Sequence, residues 1–207
     1  MSPVNSRQAE RSRQTRRRVL EAANELFIER GYGNAALQDI ADRADVAVQT
    51  IYFTFRNKRN LLKELVDVTV AGDDAPVATM ERPWFTEAMN TPGAEEHLRA
   101  HVAGVAAILG RVSATVEVLR TAIAMEPELR AAWEEGLSQR YTVQHAAARA
   151  MVAKPGARPD VTADQAADAL FAILSPELYL LLVRGRSWTP ERWAEWAFTT
   201  LRPQLVR

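Results

Sequence analysis

The stretch from Leu37 to Leu62, LQDIADRADVAVQTIYFTFRNKRNLL, constrains the fold of this 207-residue chain more than any other segment. Its first third places apolar residues at i, i+3, i+4 and i+7, which is the pattern of one buried helix face: Leu37, Ile40, Ala41 and Ala44. Asp45 follows, and aspartate tolerates the left-handed backbone of a tight turn better than most residues. The pattern therefore predicts a helix, a short turn and a second helix that begins near Ala47.

The second helix of this segment has only two inward positions, Ile51 and Phe55. Several other side chains are left to point away from the core: Val48, Gln49, Thr50, Tyr52 and Thr54. Two helices joined by a tight turn, the second presenting short polar side chains, is the way a helix-turn-helix unit enters the DNA major groove. Periodicity alone also allows an ordinary helical hairpin.

Three separate pieces of the chain carry a resemblance to a known family. VLEAANELFIERGY, LQDIADRADVAVQTIYFTF and NKRNLL, between Thr15 and Leu65, resemble the DNA-binding domain of the tetracycline-repressor (TetR) family of transcription regulators in order and spacing. The resemblance implies an all-α fold. It would consist of an N-terminal three-helix DNA-binding domain with a helix-turn-helix and a C-terminal helical domain for ligand binding and dimerisation.

Contacts with DNA can be assigned by residue chemistry within this unit. Val48 and Gln49 are candidates for base edges, because valine can contact a thymine methyl and glutamine can pair bidentately with adenine. Phosphate candidates position the unit rather than specify sequence. They are Thr50, Tyr52, Thr54 and Lys58, with Lys58 implied by the resemblance to a family lysine that contacts the DNA backbone.

Several positions depart from the family pattern. Alanine replaces the usual hydroxyl residues before the second helix (Ala35, Ala36) and before the third (Ala47), Thr54 replaces a His or Tyr, and Arg59 replaces a Glu. Asn34 is then the only local capping candidate for the second helix, and Asn57 is the predicted cap of the helix that starts near Lys58. The DNA contacts that the family makes at these positions are therefore not assigned to this chain.

Charge is distributed unevenly although the chain is neutral overall. Residues 1–63 hold 12 Lys+Arg and 7 Asp+Glu, a net of +5, and residues 64–207 hold 14 and 19, a net of −5. The N-terminal arginines form a run that is interpreted either as a solvated helix end or as a contact with phosphates and the minor groove: Arg11, Arg13, Arg16, Arg17 and Arg18. Arg16 and Arg17 are included among the DNA-binding candidates.

The predicted domains are a mobile basic arm (1–12), the DNA-binding domain (13–70, turn and helices 37–54), a linker (71–83) and a helical body (84–207). No strand pattern is present in the body. Helices are predicted near 94–110, 113–126, 128–153 and 163–184, with Ser175-Pro176 kinking or dividing the last of these. A final helix starts with Thr189 as N-cap and Pro190 at the first position.

Composition excludes several functional classes. The absence of cysteine excludes disulfides and thiolate chemistry. No apolar run is expected to reach bilayer length and no secretory signal is recognisable, so a soluble, cytoplasmic protein is expected. Phosphate-loop, dinucleotide-binding and nucleophile-elbow motifs are not found. We therefore expect no enzyme activity, no catalytic residues and no cofactor.

Two apolar stretches near the end, LFAILSPELYLLLV and WAEWAFTTL, exceed what a monomer is expected to bury. A homodimer through the last two helices, about 163–205, is predicted and matches what the resemblance implies; ordinary core helices are the alternative. The family also implies a pocket for a small effector of unknown identity. Its candidate lining residues are Trp84, Phe85, Met89, His101, Glu117, Arg120, Trp133 and Tyr141.

The sequence favours a ligand-responsive, sequence-specific DNA-binding repressor. It would bind a palindromic operator as a homodimer and be released by the effector. One alternative is an all-helical metal-dependent enzyme, since His97 and His101 in HLRAH have metal-ligand spacing. No third ligand or catalytic Glu accompanies them, so no metal is predicted. Another alternative is an interaction protein that binds DNA without sequence choice.

Overall fold

The structure is a computed structural model that describes residues 3–71 and 79–207, with side chains from Ala9 onward. The described ranges form ten α-helices and two single 3₁₀ turns, Thr79–Glu81 and Pro127–Leu129. The helices are α1 (Pro3–Asn34), α2 (Leu37–Arg43), α3 (Val48–Phe55), α4 (Lys58–Ala71), α5 (Pro83–Met89), α6 (Ala94–Ala122), α7 (Arg130–Val152), α8 (Ala163–Ile173), α9 (Pro176–Val183) and α10 (Pro190–Leu205). Extended pairing within these ranges is limited to one isolated bridge between Ala157 and Val206. The predicted all-α fold is confirmed.

The first helix begins earlier than the sequence indicated. The backbone is helical from Pro3, so the arm predicted for residues 1–12 is instead part of α1 over its described length. Arginine, glutamine, glutamate and alanine in this stretch are good helix formers, and they extend a helix that packing stabilises further along the chain. Gly31 has a φ of 77°, which interrupts the helix, and Tyr32 behind it is buried.

The chain divides into two compact units. Unit 1 contains Met1–Thr69 and Ala114–Ala132, and unit 2 contains Val70–Ser113 and Trp133–Arg207. This division differs from the predicted linker at 71–83, of which residues 72–78 lie outside the described part of the chain. The segment 114–132 belongs with the N-terminal helices because it makes polar contacts with them: Thr115 donates to the amide oxygen of Asn24 at 2.8 Å, and Arg59 pairs with Glu128 at 2.7 Å.

The core of unit 1 explains why its helices form where they do. Of the face predicted for α2, Ile40, Ala41 and Ala44 are buried and Leu37 is half-buried. The largest fully buried apolar side chains of α1 to α4 are Leu26, Phe27, Ile40, Ile51, Leu61 and Leu62. The short helices α2 and α3 are marginal alone, because the first hydrogen-bonded turn costs more than it returns. Mutual burial of these faces therefore fixes the position of α3 relative to α1, α2 and α4.

Helix α6 runs without a break from Ala94 to Ala122, so the prediction of two helices divided at Gly110 is wrong. A glycine inside a helix costs only about 1 kcal/mol relative to alanine, which packing of a 29-residue helix can offset. The expectation that no segment reaches bilayer length is also wrong. Helix α6 and residues 163–183 each contain an 18-residue window of mean hydropathy 1.7. Half of the α6 window is buried inside the protein, as in a core helix.

The last helices of unit 2 start as the sequence predicted. Ser175 and Pro176 separate α8 from α9, and the Ser175 hydroxyl accepts a hydrogen bond from the Leu178 amide at 3.2 Å. Thr189 caps α10 in the same way, by accepting from the Arg192 amide at 3.2 Å. These caps confirm the predicted division at Ser175-Pro176 and the predicted start at Thr189-Pro190.

Candidate nucleic-acid interface

The turn between α2 and α3 is closed by backbone hydrogen bonds and held by α1. Asp45 has a φ of 50°, the left-handed conformation that the sequence predicted for it. The Val46 amide donates to the Ala41 carbonyl at 3.0 Å. Arg18 donates from its guanidinium to the Asp45 carbonyl at 2.7 Å. One arginine of the N-terminal basic run therefore stabilises the turn.

The buried residues of α3 determine which side chains face outward. Ile51 and Phe55 are one helical turn apart and both are buried. The predicted base-edge and phosphate residues occupy the remaining directions of the same two turns. Gln49, Tyr52 and Thr54 are exposed, while Val48 and Thr50 are half-buried. The structure thus brings these five predicted residues together on one short helix.

One residue of this face was missed by the sequence reading. Phe53 has 92% of its surface exposed and lies between Tyr52 and Thr54 on α3. Phe53 has none of the polar groups expected of a DNA contact, although the helical period already placed it on the side opposite Ile51 and Phe55. The Thr54 hydroxyl also has a role inside the helix, because it donates to the Thr50 carbonyl at 2.8 Å.

Lys58 starts α4, and its amine lies against the end of α1. Its Nζ is 4.4 Å from the centre of the Tyr32 ring and donates to the Gly33 carbonyl at 3.5 Å. Burial lowers the pKa of this amine, and nearby Glu126 opposes that change. Asn57 caps the helix as predicted, by accepting from the Asn60 amide at 2.8 Å. The Asn57 cap and the Tyr32 ring together fix the position of the Lys58 amine.

Arg59, which departs from the family pattern, forms ion pairs within unit 1. Its guanidinium is 2.7 Å from Glu128 and 3.7 Å from Glu126. Tyr32 donates from its hydroxyl to Glu126 at 3.3 Å, and burial raises the pKa of that hydroxyl. The arginine therefore joins the start of α4 to the turn after α6, a role that a glutamate could not perform beside two carboxylates.

The other DNA-contact candidates and caps have partners of their own. Arg16 pairs with Glu64 at 2.5 Å, and Arg17 pairs with Glu21 at 3.7 Å. Ala36 and Ala47 are the N-caps of α2 and α3, with no side-chain hydrogen bond at either. The predicted cap by Asn34 is wrong, since its amide donates backward to the Arg30 carbonyl at the end of α1.

Comparison with known proteins identifies the N-terminal domain. The family described as "Bacterial regulatory proteins, tetR family" matches residues 19–65, which span the helix-turn-helix and its supporting helices. Residues 19–65 thus match the DNA-binding domain of TetR-family regulators. It is 39% identical over 61 residues to the HTH-type transcriptional regulator TtgR of Pseudomonas putida, a match that covers 30% of this chain and 29% of TtgR. The chain thus matches less than a third of the length of its curated relatives.

Solved structures extend the similarity of fold to nearly the whole chain. A Mesorhizobium loti protein described as a TetR-family transcriptional regulator is 21% identical, with a TM-score of 0.72 and coverage of 95% of this chain and 99% of that one. A Saccharomonospora viridis protein described as a transcriptional regulator, in complex with choline, is 22% identical, with a TM-score of 0.73 and coverage of 93% and 97%. At this identity the likeness shows the fold alone.

The predicted effector residues separate into three groups by their surroundings. Trp84, Phe85 and His101 form an aromatic cluster with ring centres 5.5–6.2 Å apart, near half-buried Met89. Trp133 and Tyr141 lie on α7, where Tyr141 donates to Asp168 at 3.2 Å. Glu117 and Arg120 pair with each other at 2.6 Å and belong to unit 1. The first two groups belong to unit 2 and the third to unit 1.

A pocket of about 240 Å³ lies within unit 2 beside the aromatic cluster. Its lining residues are Val70, Ala71, Thr79, Arg82, Pro83, Trp84, Ile108 and Arg111. Trp84 is the only one of the predicted effector residues among them. The Trp84 ring packs on the backbone of α6 at Gly104, where a methyl group would lie 2.1 Å from the ring. The pocket wall therefore depends on a glycine in α6.

The two histidines of HLRAH are buried in unit 2. Their ring centres are 6.3 Å apart, and His101 shares a 2.7 Å hydrogen bond with Gln144. Burial lowers the pKa of each to about 4, and His97 is further affected by His101 and Lys154. Among residues 9–71 and 79–207, no group of three or more His, Cys, Asp or Glu side chains suits a metal ion.

Proposed function

We propose that this chain is a cytoplasmic transcriptional repressor that binds a palindromic operator as a homodimer and is released by a small effector. The observation that carries the proposal is the outward face of α3, which is held rigidly by buried Ile51 and Phe55 and presents Gln49 and Tyr52 to solvent. A helix with this support and this surface is the usual reader of a major groove. The matched TetR-family domain supports the same conclusion.

The proposed division of labour on α3 follows residue chemistry. Gln49 pairs with adenine through its amide, and Val48 contacts a thymine methyl from a half-buried position. Thr50, Tyr52 and Thr54 bind phosphates and set the register. Lys58 adds a phosphate contact at the start of α4. Arg16 and Arg17 add general charge near the middle of α1, with weaker effects because each already has a carboxylate partner.

Dimerisation is proposed through α8, α9 and α10. Leu181 on α9 has 59% of its surface exposed, and several apolar neighbours on α9 are only half-buried. An exposed apolar patch of this kind favours a symmetric partner. Two-fold symmetry would separate the half-site centres by about 34–36 Å. Leu181→Glu is expected to give monomers by light scattering, whereas Ile28→Glu on α1 should leave the dimer intact.

The effector is proposed to bind in the pocket next to Trp84. Arg82 and Arg111 line this pocket, so a small anion fits its charge better than a cation such as the choline bound to the Saccharomonospora viridis protein. An apolar wall with a few polar groups is typical of small-molecule sites. Small aromatic carboxylates are expected to raise the melting temperature of the wild-type protein, and Arg111→Ala is expected to abolish that rise.

The DNA-reading claim is tested by selecting genomic fragments and measuring affinity by fluorescence anisotropy at several salt concentrations. The wild-type protein is expected to prefer a palindrome over a scrambled duplex at every salt concentration. Gln49→Ala should lower discrimination at one base pair of each half-site by roughly 1–3 kcal/mol. Gln139→Ala, an exposed glutamine on α7, is the matched control. Equal affinity for both duplexes would instead favour the non-specific DNA-binding protein.

The alternative of a metal-dependent enzyme has its own test. It requires metal to be held by His97 and His101, which are buried and have no third ligand of the usual types among the described residues. Metal analysis of the purified protein decides it. One tightly bound metal ion per chain, lost in a His101→Gln variant, would support the enzyme and count against the present proposal.

A further inference from the structure

Phe53 is the most exposed large apolar side chain in the described part of the chain, with 92% of its surface accessible. It lies on α3, where successive residues are about 100° apart around the helix axis. Phe53 is therefore about 160° from both Ile51 and Phe55, the two buried residues. The ring projects from the helix in the direction opposite to the core.

Gln49 shares this outward direction. It precedes Phe53 by one helical turn, so the two side chains lie about 40° apart on the same face. Four residues of helix rise about 6 Å, which is close to two base-pair steps of about 3.4 Å each. A helix lying along a major groove would thus place Phe53 and Gln49 over base pairs separated by one or two steps.

The chemistry of the ring limits what it can recognise. Phenylalanine has no hydrogen-bond donor or acceptor, so it can bind neither a phosphate nor the polar edge of a base. The apolar group that the major groove offers is the C5-methyl of thymine. Covering that methyl with the ring would remove apolar surface of both from water. Tyr52 and Thr54, its chain neighbours, carry hydroxyls and remain suited to phosphates.

We propose that Phe53 is a specificity-determining residue that contacts a thymine methyl in each half-site, beside the base that Gln49 reads. The inference rests on the proposed function, because it requires α3 to enter a major groove. It adds a base preference that the polar residues of α3 do not supply. The predicted operator therefore carries a thymine within two base pairs of the adenine read by Gln49.

The test removes single methyl groups from the DNA. Each thymine of the selected operator is replaced in turn by deoxyuridine, symmetrically in both half-sites, and affinity is measured by fluorescence anisotropy. Two positions, one for Val48 and one for Phe53, are each expected to weaken wild-type binding about fourfold per half-site, the equivalent of about 0.8 kcal/mol for one buried carbon. Phe53→Ala should bind the thymine operator more weakly by a similar factor, lose the response to uridine at one of these positions and keep it at the other.

Control variants separate this effect from loss of the fold or of the whole reading face. Gln49→Ala should keep the response to uridine at the position assigned to Phe53. Ile28→Ala, at a partly exposed apolar residue of α1, should behave as wild type in both assays. The melting temperature of Phe53→Ala should match that of the wild-type protein, because the ring has almost no contacts to lose.

Two outcomes overturn the inference in distinguishable ways. If the wild-type protein binds its operator specifically but Phe53→Ala retains every uridine response, Phe53 reads no methyl and only this inference fails. If the wild-type protein shows no preference between operator and scrambled duplex, both this inference and the proposed function fail. Loss of the response at one thymine alone is the supporting result.

Discussion

Two pairs of residues with the same spacing have opposite surroundings. Gln49 and Phe53 on α3, and His97 and His101 on α6, are each one helical turn apart. The first pair is exposed, whereas each histidine has only 1% of its surface accessible. Spacing determines which residues share a helix face, but the rest of the fold determines whether that face meets solvent or core.

The difference has an energetic consequence. A side chain on the exposed face keeps its hydrogen-bonding groups in water until a partner arrives, so its identity can be chosen for recognition. A buried imidazole must find partners within the protein. His101 has Gln144, while His97 lies near the carbonyls of Ala88 and Ala147 without a well-aligned hydrogen bond to either. The buried pair therefore affects stability, and the exposed pair affects binding.

The largest expected effect comes from removing the buried ring. His101→Ala should lower the free energy of unfolding by about 3 kcal/mol, because it leaves a cavity and an unpaired Gln144 oxygen. His145→Ala, a partly exposed histidine paired with Asp164, should cost less than about 0.5 kcal/mol. Urea unfolding of the three proteins measures the difference. Equal stabilities for the two variants would show that burial does not distinguish the histidines.

Stability should also depend on pH through the buried pair. Histidine titrates near 6.5 when unfolded, and the pKa of both His97 and His101 is lowered to about 4 in the folded protein. Between these values the unfolded chain binds more protons, so stability is complete above pH 6.5, falls as the pH is lowered and levels off below 4. The slope approaches about 1.4 kcal/mol per pH unit for each histidine.

Substitution by a side chain that does not titrate isolates this contribution. His97→Gln is expected to remove its share of the slope between pH 6.5 and 4, measured by urea unfolding at intervals of half a pH unit. Gln139→Ala, at an exposed residue of α7 that does not titrate, should leave the profile unchanged. A wild-type stability that stays flat across this window would mean that the buried imidazoles become protonated without cost, contrary to their burial.

A third test compares two glycines inside helices. A methyl group at Gly104 would lie 2.1 Å from the Trp84 ring, whereas Gly136 on α7 has no heavy atom within 4 Å of the same position. Gly104→Ala should therefore destabilise the protein by roughly 1–2 kcal/mol, while Gly136→Ala should stabilise it by up to about 1 kcal/mol. Thermal melting shows whether each substitution raises or lowers the stability. Stabilisation by both changes would mean that Trp84 moves away at no cost.

Local features were predictable from the sequence because neighbouring residues determine them. The turn at Asp45, the cap by Asn57 and the start of α10 at Thr189 depend on residues within a few positions of each other. Partners distant in sequence were not predictable. The pairing of Arg59 with Glu128 depends on a fold that brings together residues of two different helical segments far apart in the sequence.

The same reasoning explains the errors in the candidate site. Helix α6 continues through Gly110 because packing outweighs a weak local preference, and it places Glu117 and Arg120 in a different unit from Trp84. The eight predicted effector residues were chosen by residue type, and their use as a ligand site stays a prediction. Phe53 is the opposite case. The helical period predicted that it lies on the outward face, but an apolar residue type did not indicate a contact with DNA.

The smallest expected effect tests whether Lys58 belongs to the exposed or the buried class. Its half-buried amine contacts the Tyr32 ring and the Gly33 carbonyl, yet an ammonium has three donors and can still bind a phosphate. Lys58→Ala should weaken binding to specific and non-specific DNA alike and reduce the slope of log affinity against log salt by about 1. Lys63→Ala, on the same helix, is the matched control. A lower melting temperature with an unchanged salt slope would assign Lys58 to the structure of unit 1, like His101 in unit 2.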